Sequence, residues 1–220
     1  MIFYDYWRSS SAWRVRIALN LKQISVERRA VHLAREGGGE QFAAEFRALN
    51  PFSEVPVLVV EDATGARRVL AQSMAILDYL EDRFPTPPLF PADPWLRARA
   101  RQLAEMVNAG IQPFQNLSLL NHLRARGIAD PQEIAHHFNL RGLGALEALA
   151  GETAGRFLVG DAPTVADVYL IPQLYGGRRF GIDLSGFPTL LRVEAACAAL
   201  PAFTAARPEA QPDAPPPSKT

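Results

Sequence analysis

Cysteine is almost absent from this 220-residue chain. The single thiol, Cys197, excludes an internal disulfide and any cysteine-built metal cluster. The four histidines show no ligand spacing that would make up for it, and His136-His137 reads as a solvated helix face, so no metal site is expected. An excess of charge is missing too. Lys plus Arg and Asp plus Glu stand at 23 each, so no overall field draws the chain to nucleic acid or to an anionic membrane surface, and an anionic ligand has to be held by local groups. No apolar run approaches the ~20 residues of a membrane span, and residues 1–4 show neither the basic stretch nor the apolar core of a secretion signal. The expectation is a cytosolic protein that handles a small molecule. What the chain does have is apolar content: 48% hydrophobic residues suffice for the core of one large domain or of two modest ones.

The pattern changes once along the chain. Residues 1–4 read as a buried strand and 12–21 as a helix free of Gly and Pro. Residues 26–33 alternate as a second strand, broken by a flexible loop at Gly37-Gly38-Gly39. Residues 40–49 predict a short helix with Phe42, Phe46 and Leu49 on one side. Residues 56–60 and the stretch around 68–70 form a hairpin across the turn Asp62-Ala63-Thr64-Gly65, and 73–84 a helix that turns Ile76, Leu77 and Leu80 inward. Residues 1–84 are therefore a βαβα-ββα α/β domain. Residues 85–94 carry five prolines and read as a linker. Residues 95–206 are all-α. They begin with a long amphipathic helix through Leu96, Ala100, Leu103, Val107, Ile111, Phe114 and Leu117, bent at Pro113, and continue with helices over 134–149, 165–174 and 190–200. Thr164-Val165-Ala166-Asp167 has the spacing of a helix capping box. The tail 207–220 is too polar and proline-rich to pack as an element.

The chemistry is concentrated at Ser9-Ser10-Ser11, where the first strand gives way to the first helix. Hydroxyls and unpaired N–H groups at the positive end of a helix dipole suit an anion, although any one of the three serines can equally be a plain N-cap.

The run Tyr6-Trp7-Arg8-Ser9-Ser10 with Trp13-Arg14-Val15-Arg16-Ile17-Ala18-Leu19 resembles the signature of the zeta class of glutathione transferases. Further matches follow in register: Leu49-Asn50-Pro51, Val55-Pro56, Gln72-Ser73, Gly110-Ile111-Gln112-Pro113, Gln115-Asn116-Leu117-Ser118, Pro172-Gln173 and Arg179-Phe180. The resemblance implies a thioredoxin-like N-terminal domain that binds glutathione, a helical domain for the second substrate, and a two-fold homodimer. It places Ser9, with Ser10 and Ser11, at the glutathione thiol. It implies a cis bond at Val55-Pro56 that lets Val55 pair with the cysteinyl backbone, and gives Gln72 and Ser73 the γ-glutamyl carboxylate. Gln41 and Gln112 add amide contacts or serve only as surface and interhelical residues. Arg8 and Arg179 go near the acidic groups of a dicarboxylate, while Arg14 and Arg16 read as a solvated face.

A thiol of pKa about 8.5 is mostly protonated at neutral pH, and hydroxyl donors at a helix start favour its thiolate. In this class such a thiolate adds reversibly to a cis double bond, so the implied activity is isomerisation of maleylacetoacetate to fumarylacetoacetate in tyrosine and phenylalanine breakdown. Maleylpyruvate is the rival substrate. A glutathione-binding or transferase module without isomerase activity is the rival class, and dehalogenation or conjugation a side activity. One departure stands out: the class commonly has Ser-Ser-Cys where this chain has Ser9-Ser10-Ser11.

Overall fold

The computed structural model describes residues 1–34 and 39–216; Gly37 and Gly38 of the expected loop and Pro217 of the expected tail lie outside the described residues. The chain forms two compact units, residues 1–87 with 201–220 and residues 88–200.

In the first unit β1 (Ile2–Asp5), β2 (Glu27–Ala30), β3 (Val57–Glu61) and β4 (Arg67–Ala71) make one sheet in the order β2-β1-β3-β4. β1 pairs parallel with β2, while β1 with β3 and β3 with β4 are antiparallel. A parallel pair needs a crossover, which α1 (Ser10–Leu21) supplies. Along β1 the side chains alternate, so Phe3 and Asp5 are buried on one face. A carboxylate set beside a phenylalanine in this way requires a partner. Helix α1 is buried from Ala12 through Leu19, and α3 (Ser73–Arg83) turns Ile76, Leu77 and Leu80 into the same core. The expected helix over 40–49 is broken: Glu40–Phe42 is a 3-10 turn, Ala43 is extended, and α2 covers Ala44–Leu49. That break leaves Phe42 52% exposed while Phe46 is buried, so the three apolar residues do not share a face.

The second unit contains α4 (Pro94–Gly110), α5 (Leu117–Ala125), α6 (Pro131–Ala150), α7 (Val165–Arg179) and α8 (Pro188–Ala198). Asp93 caps α4 by accepting from the Leu96 N–H at 2.8 Å, and Pro94 occupies the first turn, where a missing donor costs nothing. The long helix expected through Leu117 stops at Gly110. Pro113 has no N–H and crowds the preceding turn, so Gln112–Gln115 becomes a 3-10 turn, and Asn116 caps a new helix. At Gly142 any Cβ would lie 2.3 Å from Ile111, so α6 can pass this close only with glycine there. Residues 88–94, most of the expected linker, belong to this unit: Leu89 and Phe90 are buried, and the Leu89 carbonyl accepts from the Val165 N–H.

The tail packs, against expectation. After α9 (Pro201–Thr204) the chain makes a 3-10 turn over Pro208–Ala210 within the first unit, with Ala206, Pro208 and Gln211 buried. The reading from composition failed because a polar side chain can be buried when its bonds are made. Gln211 gives its amide hydrogens to the carbonyls of Ala205 and Arg207.

The capping box forms. The Thr164 N–H and hydroxyl donate to Asp167 Oδ2 at 2.7 and 3.0 Å, and the Leu158 N–H to Oδ1 at 2.8 Å. Burial nonetheless outweighs these donors and pushes the carboxyl from its ordinary 3.8 up to about 6. A raised carboxyl pKa adds stability below the unfolded value that is lost as pH rises through the folded one. The stability advantage of the wild type over Asp167→Asn should therefore be largest near pH 4 and shrink by up to ~3 kcal/mol toward pH 7, as urea midpoints across that range will show.

Candidate active site

Sheet register brings the candidate segments of the first unit to one edge. Tyr4 pairs with Val57 and Val57 with Ala71, so the end of β1, the start of β3 and the end of β4 lie side by side. The residues that continue them are Tyr6 to Ser9, Val55-Pro56 and Gln72-Ser73. β2 ends there too, since Asp5 pairs with Ala30. The Val55-Pro56 bond is cis.

Ser9 is the N-cap of α1: its Oγ accepts from the Ala12 N–H at 3.2 Å, and its own N–H closes a turn on the Tyr6 carbonyl. The cap satisfies the third helical donor and leaves to Ser10 and Ser11 the N–H groups for which an α-helix provides no internal acceptor. Capping and ligand binding are compatible here. Ser9 caps with a lone pair, so its O–H can still donate to an anion. Arg8 lies over the Trp7 ring, 5.5 Å from its centroid.

The same logic recurs at α3. Gln72, just before the helix, has φ 70°, a conformation unfavourable for a side-chain-bearing residue and of a kind found at functional sites. Ser73 follows it and is buried; its Oγ accepts from Arg14 Nη1 at 3.1 Å. At the other end of α1, Lys22 donates to the Phe84 carbonyl at 2.6 Å and pairs with Glu81 at 2.7 Å. Bonds between the two starts and between the two ends mean that α1 and α3 run parallel. Their positive dipole ends therefore act together, with the Arg14 guanidinium beside them.

Arg14 and Arg16 overturn the solvated-face reading: they are 1% and 3% exposed. Charge in a helix usually marks the wet side, but α1 is enclosed all round and its arginines reach polar groups at the sheet edge. Arg16 Nη1 pairs with Asp5 at 2.7 Å and reaches the Tyr6 carbonyl at 3.3 Å, Nη2 donates to the Trp7 carbonyl at 2.9 Å, and Nε to the Ala206 carbonyl at 3.0 Å. Arg28 pairs with the other oxygen of Asp5. Asp5 as a buried carboxylate and Arg16 as its partner were missed. The alternation of Phe3 and Asp5 in β1 was the signal that a charge faced inward.

Gln41 is buried against this edge. Its Nε2 donates to the Leu33 carbonyl at 3.3 Å, whereas its Oε1 has no partner among the described residues. A Cβ on Gly39 would lie 1.9 Å from that oxygen. An orphaned acceptor cradled by glycine suits a ligand that brings an N–H. His136, expected on a wet face, instead bonds through Nδ1 to the Phe180 carbonyl at 2.9 Å. Gln112 and Arg179 belong to the helical unit: Gln112 starts the 3-10 turn, and Arg179 ends α7 with an exposed guanidinium 5.7 Å from the Phe180 ring centroid. Beside them Gln115, Asn139 and Gln173 bond mutually, the two latter fully buried.

Residues 8–83 match the family model of the glutathione S-transferase N-terminal domain, and residues 139–201 that of the C-terminal domain. The chain belongs to the glutathione S-transferase family. Within it, the relatives are zeta-class enzymes and maleylacetoacetate isomerases. A maleylacetoacetate isomerase from Anaeromyxobacter dehalogenans 2CP-1, solved with glutathione in its active site, is 56% identical with a TM-score of 0.89 over 97% of each chain. Another structure of that protein, 53% identical with a TM-score of 0.87 over 97% of each chain, holds dicarboxyethyl glutathione and citrate in the active site. A probable maleylacetoacetate isomerase of Vibrio cholerae is 45% identical over 97% of this chain and 98% of its own length. A bacterial maleylpyruvate isomerase, described as a zeta-class glutathione S-transferase, is 43% identical with a TM-score of 0.90 over 98% of this chain and all of its own.

Breaking a buried ion pair from one side leaves the other charge enclosed. Arg16→Ala should cost ~3–5 kcal/mol of unfolding free energy, and Arg16→Lys should recover only part of it, because an ammonium cannot span all four acceptors. An unfolding free energy from urea titration within ~0.5 kcal/mol of wild type would instead mark Arg16 as a surface residue.

Proposed function

We propose that this chain is a cytosolic homodimer that converts maleylacetoacetate to fumarylacetoacetate with glutathione as cofactor. The observation that carries the reading is the parallel pair of helix starts, with the Ser9 hydroxyl accepting from the Ala12 N–H and the Arg14 guanidinium reaching Ser73, so that positive dipole ends and a buried cation meet where an anion would sit. The residues fit glutathione. Ser73, Gln72 and the start of α3 hold its γ-glutamyl carboxylate, Val55 before cis-Pro56 pairs with its cysteinyl backbone, and the buried Oε1 of Gln41 takes one of its N–H groups, with Gln112 adding an amide contact. Ser9, supported by the N–H groups of Ser10 and Ser11, donates at the sulfur position and stabilises negative charge there. When bound, glutathione supplies a thiolate that adds reversibly to the cis double bond, so that the carbon–carbon bond can rotate.

Arg8 and Arg179 serve the second substrate. Guanidinium groups bind carboxylates in two-point fashion and stabilise negative charge that develops next to them. Citrate and a dicarboxyethyl group in the active site of a 53% identical relative support an acidic substrate. Ser11 in place of the class's usual cysteine leaves the hydroxyl of Ser9 and the helix start intact, so the thiolate-stabilising role does not depend on it. Maleylpyruvate is the second reading, favoured by the similarity to the maleylpyruvate isomerase.

Ultraviolet titration of the glutathione complex should give a thiol pKa at least ~1 unit below the free value of about 8.5. Ser9→Ala should reverse most of that shift and Ser11→Ala less; equal effects would move the role to another group. Arg179→Ala should lower kcat/KM for maleylacetoacetate about ten- to a hundredfold with little change in glutathione affinity. Turnover of maleylacetoacetate and maleylpyruvate, each with and without glutathione, ranks the two substrates, and no turnover of either leaves a glutathione-binding module.

A further inference from the structure

The segment after α9 reaches the candidate site without contributing any of the groups assigned above. Residues 205–214 lie along the end of β1 and the turn that follows it. The Trp7 N–H donates to Asp213 Oδ2 at 2.8 Å, and the Trp7 carbonyl accepts from Arg16 at 2.9 Å, so both sides of one residue in the turn are held. The Arg16 guanidinium is in turn fixed by the Ala206 carbonyl. Gln211 completes the attachment: its Oε1 accepts from Arg28, which also pairs with Asp5, while its amide hydrogens fold the segment onto itself at Ala205 and Arg207. Trp7 is two residues before Ser9, and the Ser9 N–H is bonded to the carbonyl of Tyr6, the residue before Trp7. Any rotation of the backbone at Trp7 therefore moves the N-cap.

We infer that residues 205–214 form a positioning strap, with Asp213 as its clasp, that sets the orientation of the Ser9 hydroxyl toward the glutathione sulfur. Apart from the Arg16 bonds to the Tyr6 and Trp7 carbonyls, the Ser9–Tyr6 turn and the buried Tyr6 ring, the turn depends on this segment to hold its shape. Tyr6, Trp7 and Arg8 precede the helix and follow the strand, so neither ladder secures them, and Arg8 and Trp7 are only half-buried. Asp213 meets the turn as an acceptor, through the Trp7 N–H, while its charge also favours the cation of Arg16. The positioning role rests on glutathione being bound at this turn.

Asp213→Ala and Asp213→Asn, made in the full chain, separate these ideas. In Asp213→Ala the KM for glutathione should rise about three- to tenfold, the worth of one hydrogen bond. The pKa of the bound thiol should move up by roughly half a unit toward the free value. The KM for the acidic substrate should stay within about twofold of wild type, a split that general loosening of the fold would not give. Asp213→Asn keeps a carbonyl oxygen for the Trp7 N–H and should restore both the glutathione KM and the thiol pKa. Melting curves establish that both variants are folded. Unchanged glutathione KM and thiol pKa in Asp213→Ala overturn the strap, and an Asp213→Asn variant as impaired as Asp213→Ala overturns the acceptor role. Absence of glutathione binding by the unmutated protein overturns the proposed function and the strap together, whereas binding with an unaffected Asp213→Ala overturns the strap alone.

Discussion

The ion pair between Asp5 and Arg16 is what the first unit is arranged around. Removing one such ion from water costs several kcal/mol, and burial lowers the hold of Arg16 on its proton while the Asp5 carboxylate opposes that effect. The enclosed cation is tolerated because each of its three nitrogens bonds to an acceptor: one carboxylate and the carbonyls of Tyr6, Trp7 and Ala206. Those acceptors come from a strand, the turn after it and a segment almost two hundred positions later. One side chain thus joins three stretches that hydrophobic packing alone would bring near each other but would not orient.

Much of the fold could be read in the sequence, because its elements are announced by local signals. The hairpin is marked by Asp62 and Gly65, and the Asp62 carboxylate does close the turn onto the Thr64 and Ala66 N–H groups. The box at Thr164 and Asp167 is equally local. What escaped was non-local or needed three dimensions. Arg14 and Arg16 carry charge, and a one-dimensional reading assigns charge to solvent; only the enclosure of α1 on all sides, with the inward carboxylate of Asp5, reverses it. The tail's composition hides the fact that its polar groups find partners in the first unit. At Pro113 the periodicity of apolar residues continued across a break, since the 3-10 turn and the new helix preserve spacing without preserving the helix. The serines of the candidate site were visible because position alone, between a strand and a helix, defines the electrostatics of a helix start. Their shared edge with Val55 and Gln72 follows from strand register, which no local signal fixes.

The polar groups at that edge are divided by direction. Lone pairs are committed inward: Ser9 accepts from the Ala12 N–H, and Ser73 from Arg14. The positive ends of the two helix dipoles face the same edge, and such an edge favours anions over cations. The chain's own thiol cannot take that part. Cys197 is buried in α8, and desolvation, with Asp167 and Glu194 adding to it, raises its pKa far beyond the usual range. A reacting sulfur has to arrive from outside.

The route of the chain has a bearing on its biosynthesis. Residues 88–200 interrupt a unit whose two parts are 1–87 and 201–220, so the sheet and both of its core helices leave the ribosome long before the residues that complete their polar network. During that interval Arg16 still lacks the Ala206 carbonyl and the Trp7 amide still lacks Asp213. Maturation of the first unit therefore waits for residues 205–214, and the turn bearing Ser9 takes its final shape only when they emerge.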